Sequence, residues 1–206
     1  MYTAIVVRPG ETDFDREERI QGALDLPLTA EGRRQVQRLI EQLRRARPEV
    51  LYTSPSQPAR ATAEILSEAL DIPLKELDGL ANMDQGLWQG MLVSDLRRKH
   101  PRVFRQWQES PETVCPPAGE TCDAVVARVE QALRKPMKRA GTFAVVVSEP
   151  LASIVSSLLR GDESPRWSGL PVGGGGAGTL EVVDASAGHD TSLTANHATE
   201  TVTQWR

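Results

Sequence analysis

Arg8 and Glu149 are the two charged side chains whose placement invites chemistry, because each closes an apolar run. Arg8 follows Thr3-Ala4-Ile5-Val6-Val7 and opens Arg8-Pro9-Gly10-Glu11-Thr12; Glu149 follows Thr142-Phe143-Ala144-Val145-Val146-Val147 and lies in Ser148-Glu149-Pro150. A charge at a buried strand end needs a partner, and the plainest account is that these two pair with each other. The three histidines, His100, His189 and His197, do not follow strand-like runs. His100 reads as a solvated turn between helices, and the other two fall in the C-terminal tail. A nucleophile must meet its acid and its anion clamp within about 3–3.5 Å, so a histidine nucleophile is not expected among them. Cys115 and Cys122, separated by Pro116, Pro117 and Gly119, lack metal-ligand spacing and read as reduced thiols. Gly173 to Gly178 contains no Gly-Lys-Ser/Thr and reads as a flexible surface turn, not a phosphate loop.

The elements that must position these groups alternate between strand and helix. Residues 3–7 and 142–147 are continuous apolar, β-branched runs, the signature of strands buried on both faces. Thr29 is a credible N-cap for a helix from Ala30 to about Arg45, with Val36, Leu39, Ile40 and Leu43 on one face. Pro48 stops it, and residues 50–53 form a short strand. Ser54-Pro55 opens a second helix, with Ala59, Thr62, Ala63, Leu66 and Leu70 on its stripe. Residues 72–74 are briefly extended, and two helical segments follow, 94–99 and 101–108. A third long helix runs from Asp123 to about Lys135, ended by Pro136. Pro150 suits the first turn of the next helix, whose buried face carries Leu151, Ile154, Val155, Leu158 and Leu159. Residues 13–28 read as polar and irregular. The pattern closes with a hairpin of 179–183 and 191–195.

Several stretches, taken in order, resemble the histidine phosphatase superfamily, the phosphoglycerate mutase-like proteins. Arg8-Pro9-Gly10-Glu11-Thr12 is similar to its Arg-His-Gly-Glu followed by Ser or Thr, and Arg19-Ile20-Gln21-Gly22 to the loop that folds over the phosphate. Ser54-Pro55 with Ala59 and Thr62-Ala63 resembles its Ser-Pro-x-x-Arg-Ala-x-x-Thr-Ala. Gly86-Leu87-Trp88-Gln89-Gly90 resembles Gly-x-Trp-Glu-Gly, and residues 116–121 resemble Pro-Gly-Gly-Glu-Ser. The resemblance implies a three-layer α/β/α sandwich around a mostly parallel sheet, one domain over residues 1–206, with its pocket at the C-terminal ends of the Ile5 and Val146 strands.

Carried over residue by residue, the resemblance places Arg8 in the phosphate clamp but leaves the rest of the machinery replaced. Pro9 stands where the nucleophilic histidine belongs, Pro58 at the second arginine, Asn82 at the proton donor, and Glu149 at the second histidine. An Asn that contacts phosphate is here Asp15. Arg60 is two residues past Pro58, about 200° around a helix, and a poor substitute. A pyrrolidine offers no lone pair to phosphorus, and an amide does not titrate near neutrality. The pocket so implied, Arg8, Thr12, Asp15, Gln21 and Glu149, holds one cation against two carboxylates and repels a phosphate dianion. The resemblance therefore implies a catalytically inactive relative with a binding or regulatory role, its partner a protein or a small molecule. The alternative is a phosphatase or mutase-like enzyme acting on phosphate monoesters with low or altered activity. A cation held by Asp15, Glu149 and Asp84 is a further reading, opposed by Arg8; no cofactor or metal is expected.

The composition fits this class. The 206 residues are 39% hydrophobic and 25% charged, with formal net charge −4. An acidic balance argues against a nucleic-acid or anionic-membrane footprint. No run of 18 apolar residues and no basic leader precedes the first strand, so the chain reads as cytoplasmic and soluble.

Overall fold

In the computed structural model the first apolar run is strand β1, Tyr2–Val7, and the second is β4, Gly141–Val146; the structure describes residues 2–162, 165, 167 and 176–184. Between them lie β2 (Leu51–Thr53) and β3 (Leu74–Glu76), and after them β5 (Leu180–Asp184). The sheet order is β3-β2-β4-β1-β5, parallel throughout except for β5, which runs antiparallel to β1. The continuous apolar runs have the reason expected of them. Ala4 and Val6 face one layer with Phe143 and Val145, while Ile5 and Val7 face the other with Ala144 and Val146. Each fully buried Leu, Ile or Phe among them contributes roughly 1.5–3 kcal/mol relative to exposure.

One layer holds α2 (Ala30–Ala46) and α3 (Gln57–Leu70); the other holds α6 (Cys122–Lys138) and α7 (Leu151–Arg160). Thr29 caps α2, its Oγ1 accepting the Gly32 N–H at 2.9 Å. Three sequence expectations shift. α3 starts at Gln57, because Ser54 still gives its N–H to Val146 O at the sheet edge and its Oγ turns the chain by accepting from Ser56 N–H. Pro136 does not end α6; the helix runs on to Lys138 with Pro136 buried. So near a helix end the ring forfeits one hydrogen bond, and packing against the core offsets it. Pro150 stands at the N-cap of α7, not inside its first turn.

The stretch after β1 is not wholly irregular. It contains a one-turn helix, α1 (Asp13–Arg16). Two further helices, α4 (Val93–Lys99) and α5 (Pro101–Glu109), carry a third cluster in which Ile20, Trp88, Val93, Leu96, Phe104, Trp107 and Val114 pack together away from the main sheet. β5 pairs with β1; the partner expected for it at 191–195 lies outside the described residues. Among the described residues no helix is long and apolar enough to cross a membrane.

Candidate active site

β1 and β4 are parallel neighbours, with Val7 opposite Val146, so the chain leaves the sheet twice at one place. Arg8 and Glu149 emerge side by side. Arg8 Nε donates to Glu149 Oε1 at 2.6 Å and Nη2 makes an ion-pair contact with the same oxygen at 2.6 Å, a grip on one oxygen and not a fork across two. Glu149 Oε2 is taken by Ser153, whose N–H and Oγ–H donate at 3.2 and 2.9 Å from the first turn of α7. The side chains are only 19% and 12% exposed, so solvent screens this pair weakly.

The end of the glycine run lies on this pair. Gly178 N–H donates to Pro9 O at 2.7 Å and Arg8 N–H to Thr179 O at 2.8 Å. Gly176 sits at φ +114, and a Cβ on it would stand 2.9 Å from Arg8 Cδ. Residues 176–178 form a half-exposed turn, as expected of the glycine run, but the turn is packed: Gly176 lies against Arg8, Gly178 against Gln35, and Gly176 and Ala177 line the cavity.

Asp15 is turned to local work. Its Oδ2 accepts the Thr12 N–H and the Thr12 Oγ1–H at 2.7 Å each, while Thr12 Oγ1 accepts the Asp15 N–H, a reciprocal cap on α1. Gln21 lines the same cavity and donates to Leu24 O at 3.3 Å. Arg19 also lines it, with Nε on Glu17 at 2.7 Å and Nη1 on Gly90 O at 2.7 Å.

Pro58 is buried in the first turn of α3 and lines the cavity beside Pro9. Arg60 points outward, with Nη2 on Pro55 O at 2.7 Å and Nε on Glu76 at 3.2 Å. Asn82 is buried but is not among the residues lining the cavity. Its Nδ2 donates to Gly22 O at 3.0 Å and its Oδ1 accepts the Met83 N–H at 2.9 Å, a role that an ionised carboxylate, having no donor, could fill only in half. Asp84 also stands apart from the cavity, accepting the Gly86 N–H. Among the described residues no group of three His, Cys, Asp or Glu is placed to hold a metal ion, so the three-carboxylate site is not assembled.

The structure adds residues that sequence reasoning passed over. Arg128 grips Glu120 with two parallel bonds of 2.7 and 2.8 Å and gives Nη1 to Gly79 O and Ala81 O, pinning the 79–82 loop to α6. Its signal was a charge directly beside the apolar stripe of α6. Trp107 of α5 stacks on Trp88 at 5.2 Å and faces the cavity. Gln85, only 4% exposed, lines the cavity, and its Oε1 has no hydrogen-bond partner among the described residues.

Both cysteines are free thiols, Cys115 exposed and Cys122 buried against the cavity. Burial, helped by the nearby Cys115, Asp123 and Glu112, pushes the Cys122 thiol up to about 11. Since the unfolded thiol ionises near 9.0, Cys122 leaves stability unaffected below that pH and erodes it as pH rises toward 11. We expect a thiol-specific disulfide reagent at pH 8 to label Cys115 rapidly and Cys122 only on unfolding. Mass spectrometry showing both labelled at one rate in the native protein would contradict this.

The sequence matches the family model of the histidine phosphatase superfamily, branch 1, over residues 4–192. It is 34% identical over 171 residues to "Phosphoserine phosphatase 1" of Hydrogenobacter thermophilus, covering 82% of this chain and 81% of that one. It is 31% identical over 162 residues to "Probable phosphoglycerate mutase GpmB" of Klebsiella pneumoniae, covering 77% and 75%. Among solved structures, a mycobacterial glucosyl-3-phosphoglycerate phosphatase in complex with VO3 superposes with a TM-score of 0.74 at 25% identity, covering 87% of this chain and 90% of that one.

Proposed function

The chain belongs to branch 1 of the histidine phosphatase superfamily, and from that premise we propose that it is a pseudophosphatase that binds a ligand or partner through the inherited cavity without transferring phosphate. The observation that carries this reading is the pairing of Arg8 with Glu149. The guanidinium that would clamp a phosphate is held instead, by one hydrogen bond and an ion-pair contact, on a carboxylate standing where a second histidine is expected. A phosphate monoester entering here competes with that carboxylate for Arg8 and meets its negative charge. Pro9 and Pro58 line the same cavity and supply neither a nucleophile nor a cation.

The second reading is a phosphatase of low or altered activity. The 34% identity to a phosphoserine phosphatase favours it, as does Arg19, a second cation on the cavity wall. Hydrolysis of p-nitrophenyl phosphate separates the two. The native chain is expected at the level of buffer, forming no acid-labile phosphoprotein, whereas Pro9→His/Pro58→Arg/Asn82→Glu/Glu149→His gains measurable turnover. Turnover by the native chain that co-elutes with it and is blocked by vanadate would overturn the proposal.

A further inference from the structure

The outer face of the α4–α5 pair carries a charge pattern that the cavity beneath it does not use. α4 gives way to α5 at His100, and around that corner stand Arg97, Arg98, Lys99, Arg102 and Arg105, all exposed. No acid falls between positions 96 and 108. Helix electrostatics account for part of this. Arg97, Arg98 and Lys99 lie in the last turn of α4, where cations are favoured, and Arg98 and Lys99 share Asp95 at 2.9 and 3.3 Å. They do not account for Arg102. It stands in the first turn of α5, where the dipole opposes a cation and no acid offsets it. Arg105 follows three residues on, on the same face, while Phe104 and Trp107 turn inward. The guanidiniums of Arg97, Arg102 and Arg105 make no hydrogen bond or ion pair among the described residues. Two acids border the corner: Glu18, across a groove shared with Arg97 and Arg98, and Glu109, at the end of α5. Neither is bonded to these arginines.

We propose that the α4–α5 corner docks a short acidic segment of a partner protein, its Asp and Glu carboxylates taken by Arg97, Arg102 and Arg105. Guanidinium forks suit carboxylates. The charge of the rest of the molecule selects the kind of partner. With the five cations of the corner set aside, 19 basic residues stand against 28 acidic ones, a balance of −9. An anionic membrane or a nucleic-acid strand would extend past the corner onto that acidic remainder and be repelled. A protein can confine its acids to a few residues and keep the surface around them neutral or basic. This surface lies outside the cavity, so the inference holds whether or not the cavity turns over phosphate.

Fluorescein-labelled hexaglutamate, hexaglutamine and a six-nucleotide single strand, titrated by anisotropy at low salt, test this beside vesicles containing one-fifth phosphatidylserine. Hexaglutamate is expected to bind and to shift the amide signals of residues 97–105, with hexaglutamine doing neither and the nucleotide strand and vesicles binding more weakly. Arg97→Gln/Arg102→Gln/Arg105→Gln is expected to weaken hexaglutamate about tenfold, the combined value of three exposed charge contacts. Arg33→Gln/Arg45→Gln/Arg134→Gln removes the same net charge from exposed positions on α2 and α6, and should change the affinity by less than about twofold. None of the six guanidiniums has a partner to lose among the described residues, so both variants should keep the native thermal midpoint. An equal loss in the two variants, amide shifts confined to other residues, tighter binding by the nucleotide strand or the vesicles, or no binding of hexaglutamate would each overturn the inference. The amide shifts of the native protein decide the site even if a variant fails to fold.

Discussion

Replacing Arg8 with methionine is expected to destabilise the protein by about 3 kcal/mol, more than Glu149→Gln and more than the two replacements together. The ordering follows from what each variant leaves behind. Arg8→Met leaves a carboxylate that is 12% exposed with its Ser153 donors but without the guanidinium that neutralised it. Glu149→Gln keeps an amide oxygen that can still accept from Arg8 Nε, but it loses the charge and sets an NH2 where Oε2 accepted from the Ser153 N–H. The double variant removes both charges at once and restores neutrality at the strand ends. Urea unfolding of the four proteins closes the cycle, with an expected coupling of about 1.5–3 kcal/mol. Coupling below about 0.5 kcal/mol would mean that the two charges do not depend on each other, and the account of Arg8 as a committed residue would fail with it. Because the pair is largely shielded from solvent, the coupling should survive 0.5 M salt, unlike that of the exposed Arg34–Glu31 pair on α2.

Arg8 and Glu149 were legible in the sequence for the same reason that β1 and β4 were. A strand covered on both faces leaves a continuous apolar run, and whatever charge follows it is fixed at the edge of the sheet. The helices α2 and α7 were legible from their stripes, since their buried positions recur at the helical period. The cavity roof was not. α4 and α5 bring Trp107 and Val93 over residues near Ile20 across roughly 70 to 90 positions of chain, and no local period records that arrangement. Asp15 lines the cavity as expected, but a second signal went unused: Thr12-x-x-Asp15 has the spacing of a reciprocal cap, and its carboxylate is engaged on α1. Asn82 shows a different limit. Motif spacing locates its backbone, but the Gly22 carbonyl decides where its side chain points. Gln85 carried no sequence signal, because nothing in a glutamine announces that it will be buried without a partner.

Gly32→Ala is expected to cost about 3 kcal/mol, although a helix taken alone predicts the opposite sign. Gly32 is the third residue of α2, where alanine should be better than glycine by about 1 kcal/mol. Its Cα, however, rests against the backbone that leaves β1. A Cβ on Gly32 would stand 2.8 Å from Glu11 N and 3.1 Å from Glu11 C, and closer still to Glu11 O. The contact is reciprocal, since a Cβ on Gly10 would stand 2.8 Å from Gly32 C. Both partners are main chain, so neither can rotate aside as a side chain would. To admit the methyl, the Gly10–Glu11 segment must lift from α2. Lifting it strains Thr29 N–H to Glu11 O at 2.9 Å and Glu11 N–H to Gln35 Oε1 at 2.8 Å, and shifts Pro9 and Arg8 behind them. Overpacking of this kind costs about 1–3 kcal/mol before the hydrogen bonds are counted, which outweighs the propensity gain. Arg33→Ala, one residue on and exposed, is the control and should stay within about 0.5 kcal/mol of the native protein. In urea the Gly32 variant should lose midpoint at unchanged slope. A Gly32→Ala protein as stable as the native one would show that the Gly10–Glu11 segment and α2 are not in close backbone contact.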